Sequence, residues 1–232
     1  MITLADRLGL GTKELIAVVG AGGKTTTVKA LGTELTARGS RVVVTTTTKM
    51  GRNQVGPDAI CTTDPDEVAR ALAATSPLFV ACHLSDRKVT GPTREQVDTL
   101  FEHPEVDHIV VEADGAKKML VKAPAAHEPQ IPKRSTTVIV VASLAALGRP
   151  ISDVAHRPEA FARLAGAEPD ALVSSEHVAR VLGSDAGGLK DIPDSAKRIA
   201  LLVGRSHRAT ERAVAATSAF DVVLGHDIGR DR

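Results

Sequence analysis

Several clusters in this sequence combine residue types and spacings that suit chemistry on phosphates or protons. The run Leu15-Ile16-Ala17-Val18-Val19 leads into Gly20-Ala21-Gly22-Gly23 and then Lys24-Thr25-Thr26. Glycines let the backbone curl until its N–H groups point inward, where they can meet phosphate oxygens. A helix opening at this point would add the positive end of its dipole. Lys24 would bring a full charge to the β- and γ-phosphates of a nucleotide, and Thr25 a hydroxyl to Mg²⁺. The bland alternative is a glycine-rich turn with an exposed lysine. Gly20, Ala21, Gly22, Gly23, Lys24, Thr25 and Thr26 are therefore the expected nucleotide-binding residues.

A phosphate loop needs acidic and polar groups nearby to hold metal and to orient the attacking group. His108-Ile109-Val110-Val111 is an apolar run that ends in Glu112-Ala113-Asp114. Two residues apart on an extended chain, Glu112 and Asp114 project to one side. Either suits Mg²⁺ or a catalytic role. A second run, Arg41-Val42-Val43-Val44, ends in four threonines, Thr45–Thr48. Threonine favours strands on propensity alone, yet a hydroxyl such as that of Thr45 could also reach metal. His127-Glu128 is a third pair, suited to acid–base work or substrate contact, or to a solvated surface. Lys117, Lys118 and Lys122 precede it, and Arg157 opens a later helix where it could clamp an anion or serve the fold.

These groups need a scaffold. Short apolar runs at 15–19, 41–48, 78–82, 108–111, 136–142, 199–203 and 222–224 read as buried strands. Between them lie helical segments at 25–38, 65–75, 93–102, 158–165, 175–182 and 210–218. Asp64 before Pro65 is a helix-start signal, and Gly39 a stop signal. The alternation predicts an α/β fold of P-loop NTPase type: a mostly parallel twisted sheet with helices on both faces. In open sheets of this kind ligands sit beyond the carboxyl ends of the strands. The stretches 115–134 and 183–194, rich in proline and glycine, read as loops. A loop as long as the first is usually functional or disordered. The expected organisation is one nucleotide-binding domain over 1–232, with a small subregion around 150–195.

Bulk properties narrow the classes. A chain of 232 residues with 43% hydrophobic and 25% charged residues is ordinary for a globular protein. Tryptophan and tyrosine are absent, so the core must be aliphatic. A net charge of +1 without a strong basic cluster argues against nucleic acid as a partner. No apolar run reaches membrane length, and Asp6 and Arg7 interrupt the N-terminal apolar stretch, against a signal peptide. Cys61 and Cys82 form no CxxC motif and read as separate reduced thiols of a cytoplasmic protein.

The strict GxxxxGK[ST] pattern would put glycine where Val18 stands. The shorter Gly20-x-x-Gly23-Lys24-Thr25-Thr26 resembles the loop of Mur ligases and folylpolyglutamate synthetases. Glu112-Ala113-Asp114-Gly115-Ala116-Lys117, then Leu120, Lys122-Ala123-Pro124, His127-Glu128-Pro129 and Ile131-Pro132, closely resemble the YqeC family. Gly20–Thr27, Thr45–Met50, His156-Arg157-Pro158-Glu159 and Gly187-Gly188-Leu189-Lys190 with Pro193 extend the likeness over nearly the whole chain. The resemblance implies an accessory protein of selenium-dependent molybdenum hydroxylases, acting in selenium-cofactor biosynthesis. It implies a pathway rather than a reaction. A selenium species, a molybdopterin-type cofactor or a hydroxylase apoenzyme are the partners it points to. One departure concerns the base: the run 199–203 leads into Gly204-Arg205-Ser206-His207 rather than an Asn-x-x-Asp-like segment. That weakens guanine specificity, and ATP is expected.

Two functions follow. In the first, an ATP-dependent enzyme uses Lys24 on the phosphates, Glu112 or Asp114 on metal or attacker, and His127 and Glu128 on a second substrate, with Thr25, Thr45 and Glu112 as metal ligands. In the second, hydrolysis of ATP or GTP gates delivery of a cofactor to an apoenzyme, with the loop 115–134 as switch or docking surface.

Overall fold

Most runs of valine, leucine and isoleucine become buried strands, the run at 222–224 a half-buried edge strand, and segments that open on capping residues become the helices between them. A computed structural model describes residues 2–226. The chain divides into two units that share it piecewise. The first holds 2–18, 25–115 and 130–137; the second holds 19–24, 116–129 and 138–226.

The first unit opens with the short helix α1 (Leu4–Arg7) and the strand β1 (Glu14–Gly20), whose last two residues belong to the second unit. It continues with α2 (Lys24–Ala37), β2 (Val42–Thr46), β3 (Lys49–Gly51), β4 (Ile60–Cys61), α3 (Pro65–Leu72), β5 (Leu78–Ala81), β6 (His83–Leu84), β7 (Lys88–Thr90), α4 (Arg94–Glu102) and β8 (His108–Glu112). Five strands run in the order β1-β8-β2-β5-β4, every adjacent pair parallel. Leu15 pairs with Ile109, and Ile109 with Val43, so these three face one side together. On that side they pack with Val68 and Leu72 of α3 and Val97, Leu100 and Phe101 of α4. The neighbouring residue Val44 faces the other side, towards Gly32 of α2, where a Cβ on the glycine would stand 2.8 Å from Val44 Cγ2. Helices therefore cover both faces of this sheet. Asp64 caps α3 by accepting from the Glu67 amide, with Pro65 in the first turn, and Thr93 caps α4 in a capping box with Gln96. A small antiparallel sheet, β3-β7-β6, had no clear signal in the sequence because its strands are two or three residues long.

The second unit contains β9 (Val121–Lys122), β10 (Thr137–Ser143, whose first residue belongs to the first unit), α5 (Ile151–Val154), β11 (Ala155–His156), α6 (Pro158–Ala165), α7 (Ser175–Leu182), β12 (Lys197–Val203), α8 (Arg208–Ala215) and β13 (Val222–His226). Its strands neighbour one another in the order β10-β12-β13, with β12 and β13 parallel. The subregion expected around 150–195 falls inside this unit. Of the two segments read as loops, 183–194 contains turns only, whereas 115–134 carries β9, paired in parallel with β11. Among the described residues no helix is long and apolar enough to cross a membrane.

Candidate functional site

The glycine turn is forced by its surroundings in the second unit. Gly20, Gly22 and Gly23 have φ of +97°, +75° and +142°, where a side chain is strained. Space forbids one as well. A Cβ on Gly20 would stand 2.2 Å from the Val141 carbonyl oxygen, and one on Gly22 would stand 2.4 Å from Ser143 Cβ and 2.5 Å from the Leu120 carbonyl oxygen. On Gly23 it would meet Val203 Cγ2 at 3.0 Å. Ala21 between them is fully buried and donates its amide to Val141 at 2.9 Å. Lys24, 5% exposed, folds its ammonium back to donate to the Gly20 carbonyl at 2.7 Å. The cation thus sits within the curl, at the first residue of the fourteen-residue helix α2. This combination of curl, cation and helix start is a geometry that binds anions.

In the first unit, Thr25 Oγ1 donates to Glu112 Oε2 at 2.7 Å. The carboxylate is placed by the register that pairs Glu112 with Thr46. Its own backbone carbonyl accepts from Thr46 Oγ1 at 2.9 Å and from the Thr47 amide at 3.2 Å, which fixes the end of β8 against β2. Two hard oxygen donors so close suit Mg²⁺, which takes one or two protein ligands and fills its shell with water and phosphate. Thr45, by contrast, is 1% exposed, and its hydroxyl donates to the Val80 carbonyl at 2.7 Å. Asp114 is buried at 2% exposure, and Thr26 is exposed.

The loop 116–129 is organised by an ion cluster inside the second unit. Glu128, 8% exposed, accepts from Lys122 Nζ at 2.8 Å. Arg157 grips both carboxylate oxygens, at 2.9 and 3.2 Å, and donates to the Ala123 carbonyl at 3.0 Å. Burial alone would push the Glu128 carboxyl up, but the bonds from Lys122 and Arg157 outweigh it and hold it at about 2. Arg157 reaches this position from a left-handed backbone, φ 65°, a cost that the bidentate grip offsets. Lys190 adds a third anchor: its ammonium donates to the carbonyls of Ala125 at 3.2 Å, Ala126 at 3.0 Å, and Glu128. Gly187 and Gly188 make that reach feasible, because a Cβ on either would stand within 2.4 Å of the α7 carbonyls of Val181 and Leu182. His156 beside the cluster is lowered by burial and then by the Arg157 and Lys122 charges. His127, next to Glu128, is exposed on this held loop.

The expected residues thus fall into groups. Thr25 and Glu112 meet directly; Gly20 to Lys24 form one curl; Glu128 joins Lys122 and Arg157. Thr45 spends its hydroxyl on the neighbouring strand, and Glu128 is committed to two cations. Lys190 stood in a motif of the family likeness without a role, and the structure supplies one: it reaches a carbonyl 65 positions away along the chain. Sequence reasoning missed Gly91, where a Cβ would overlap the Thr46 carbonyl oxygen at 1.5 Å; the Gly91-Pro92 dipeptide was the available signal. The cysteines need correction. Read as separate, they lie on neighbouring strand ends, because β4 pairs Cys61 with Ala81, and Cys61 Sγ donates to the Cys82 carbonyl at 2.9 Å.

Comparison with known proteins agrees with the sequence motifs. A family model described as YqeC protein matches residues 16–159. The chain is similar to the "Uncharacterized protein YqeC" of Escherichia coli (strain K12), 35% identical over 218 residues, covering 92% of this chain and 84% of that one. No solved structure matches.

Proposed function

The chain belongs to the YqeC family, and from that premise we propose that it is a cytoplasmic P-loop protein that binds ATP with Mg²⁺ and serves selenium-cofactor biosynthesis or the maturation of selenium-dependent molybdenum hydroxylases. The observation that carries the nucleotide reading is the curl Gly20–Gly23, with three glycines at positive φ and the Lys24 ammonium within it at the mouth of α2. Backbone amides and the helix dipole would take the phosphate oxygens there, and Lys24 would turn from the Gly20 carbonyl to the β- and γ-phosphates. Thr25, next in the chain, and Glu112 are the residues that would hold Mg²⁺, which when bound neutralises charge on the phosphates. Catalysis by such a set is positioning and electrostatic stabilisation of the transferring phosphoryl group. Asp114 is the second acidic candidate, and His127, exposed on its loop, is the residue available for acid–base work. Glu128 keeps its charge for Lys122 and Arg157, and its part is to hold the His127 loop in shape.

The pathway rests on family likeness; the gated-delivery reading keeps the same nucleotide site. The cluster around Glu128 favours the enzyme reading, because a loop anchored by three cationic side chains is poorly suited to act as a switch.

Calorimetry tests the nucleotide step. Lys24→Ala should lower ATP affinity at least tenfold without altering the circular dichroism spectrum; unchanged affinity would refute the reading. For the pathway, a host lacking this protein should assemble a molybdenum hydroxylase with less ⁷⁵Se, and normal labelling would count against it.

A further inference from the structure

The first unit contains a cavity of about 260 Å³ whose lining includes Thr25 and Glu112. Its walls are largely apolar, with Val28 from α2, Val44 from β2, Met50 from β3 and Phe79 from β5, and the polar Thr33 and Gln54 beside them. Pockets for drug-sized ligands span about 300–1,000 Å³, so this one suits a molecule smaller than a nucleotide. Apolar walls also disfavour phosphates, which would lose their water there without a partner. Of the charged groups that line it, Lys29 and Asp58 have opposite signs and are both exposed. They select no net charge. Also on the lining, the Glu112 carboxylate, which accepts from the Thr25 hydroxyl, is an acceptor and repels an anion.

We propose that this cavity seats the second substrate, a compact and largely apolar molecule that is not an anion and that presents a hydroxyl or amino group to Glu112. The assignment rests on the nucleotide reading only in making this molecule the acceptor; the cavity and its selectivity stand on their own geometry. Glu112 would accept the hydrogen of that group and hold it beside Thr25.

The probe is 2-naphthol, with naphthalene as the control that lacks the hydroxyl. The chain has no tryptophan or tyrosine, so naphthol fluorescence can be followed with little protein background. Ala59 and Met50 both line the cavity, and Ala59→Phe and Met50→Phe fill it from two elements, so one serves if the other does not fold. Saturable binding of one 2-naphthol per chain is expected, weakened tenfold or more by either filling substitution while ATP affinity changes less than twofold. The wild type should prefer 2-naphthol over naphthalene at least threefold, and Glu112→Ala should abolish that preference. Equal binding in the folded filled variants, or no preference for the hydroxyl, would overturn the proposal. Loss of ATP binding in the wild type would instead remove the nucleotide reading and leave the naphthol result intact.

Discussion

Gly22 and Gly39 both have positive φ, +75° and +87°, but only one of them is crowded. A methyl on Gly22 would strike Ser143 and Leu120, whereas one on Gly39 meets nothing within 4 Å. Gly39→Ala should therefore cost only backbone strain, about 1 kcal/mol. Gly22→Ala must also displace the backbone around the loop and should cost about 3 kcal/mol, with ATP binding lost. Urea unfolding and calorimetry on the two variants would expose the difference. The thiols give a second contrast. Cys82 is pushed up, first by loss of water around its sulfur and then by the neighbouring Cys61. Its alkylation by iodoacetamide should thus need a higher pH than a free thiol needs, and Cys61→Ser should shift that profile back down.

At the scale of elements, the loop 116–129 is held in shape by buried charge. Glu128→Gln would leave Lys122, 7% exposed, without its counter-ion. Removing one partner of a buried pair costs about 3–5 kcal/mol, so a similar loss is expected in thermal or urea unfolding. The wild-type cluster also makes a pH prediction. The Glu128 carboxyl falls from an ordinary 4.5 to about 2 in the folded protein, so the unfolded chain takes up its proton first. The stability from this group is complete above about pH 4.5 and disappears as pH falls towards about 2. Urea midpoints from pH 6 to pH 2 should decline more gently through that window in Glu128→Gln than in the wild type. Lys190→Ala should leave the cluster but release three carbonyls, which hydrogen exchange would register as faster opening of 123–129.

At the scale of the whole chain, neither unit is a continuous stretch of sequence. The first depends on 130–137, whose backbone closes against it: the Gln130 amide on the Ala113 carbonyl at 2.8 Å, the Thr136 amide on Leu15 at 2.9 Å, and the Lys133 and Arg134 amides on Asp98. Buried Ile131 and Ser135 come with it. A fragment of residues 1–115 should accordingly fail to fold, although it contains all five parallel strands of that unit. A cooperative thermal transition of this fragment by circular dichroism would show that the returning segment is dispensable.

Local rules determined much of this protein from sequence alone. The strands were legible as apolar runs because buried parallel strands tolerate little else. Asp64-Pro65 announced a helix start, since capping joins residues only a few positions apart. The glycines and lysine at 20–24 were legible for the same reason: a curl, a cation and a helix mouth are all specified within one short segment. Tertiary structure decided what spans long separations. Strand register and the packing of α2 set Glu112 against Thr25, 87 positions earlier, and the fold turned the Thr45 hydroxyl to Val80. The pairing of β4 with β5 also brought Cys61 beside Cys82. Glu128 looked like a catalytic carboxylate until Arg157, 29 positions on, was seen to grip it together with Lys122, because a residue's charge is written in the sequence but its counter-ion is chosen only by folding.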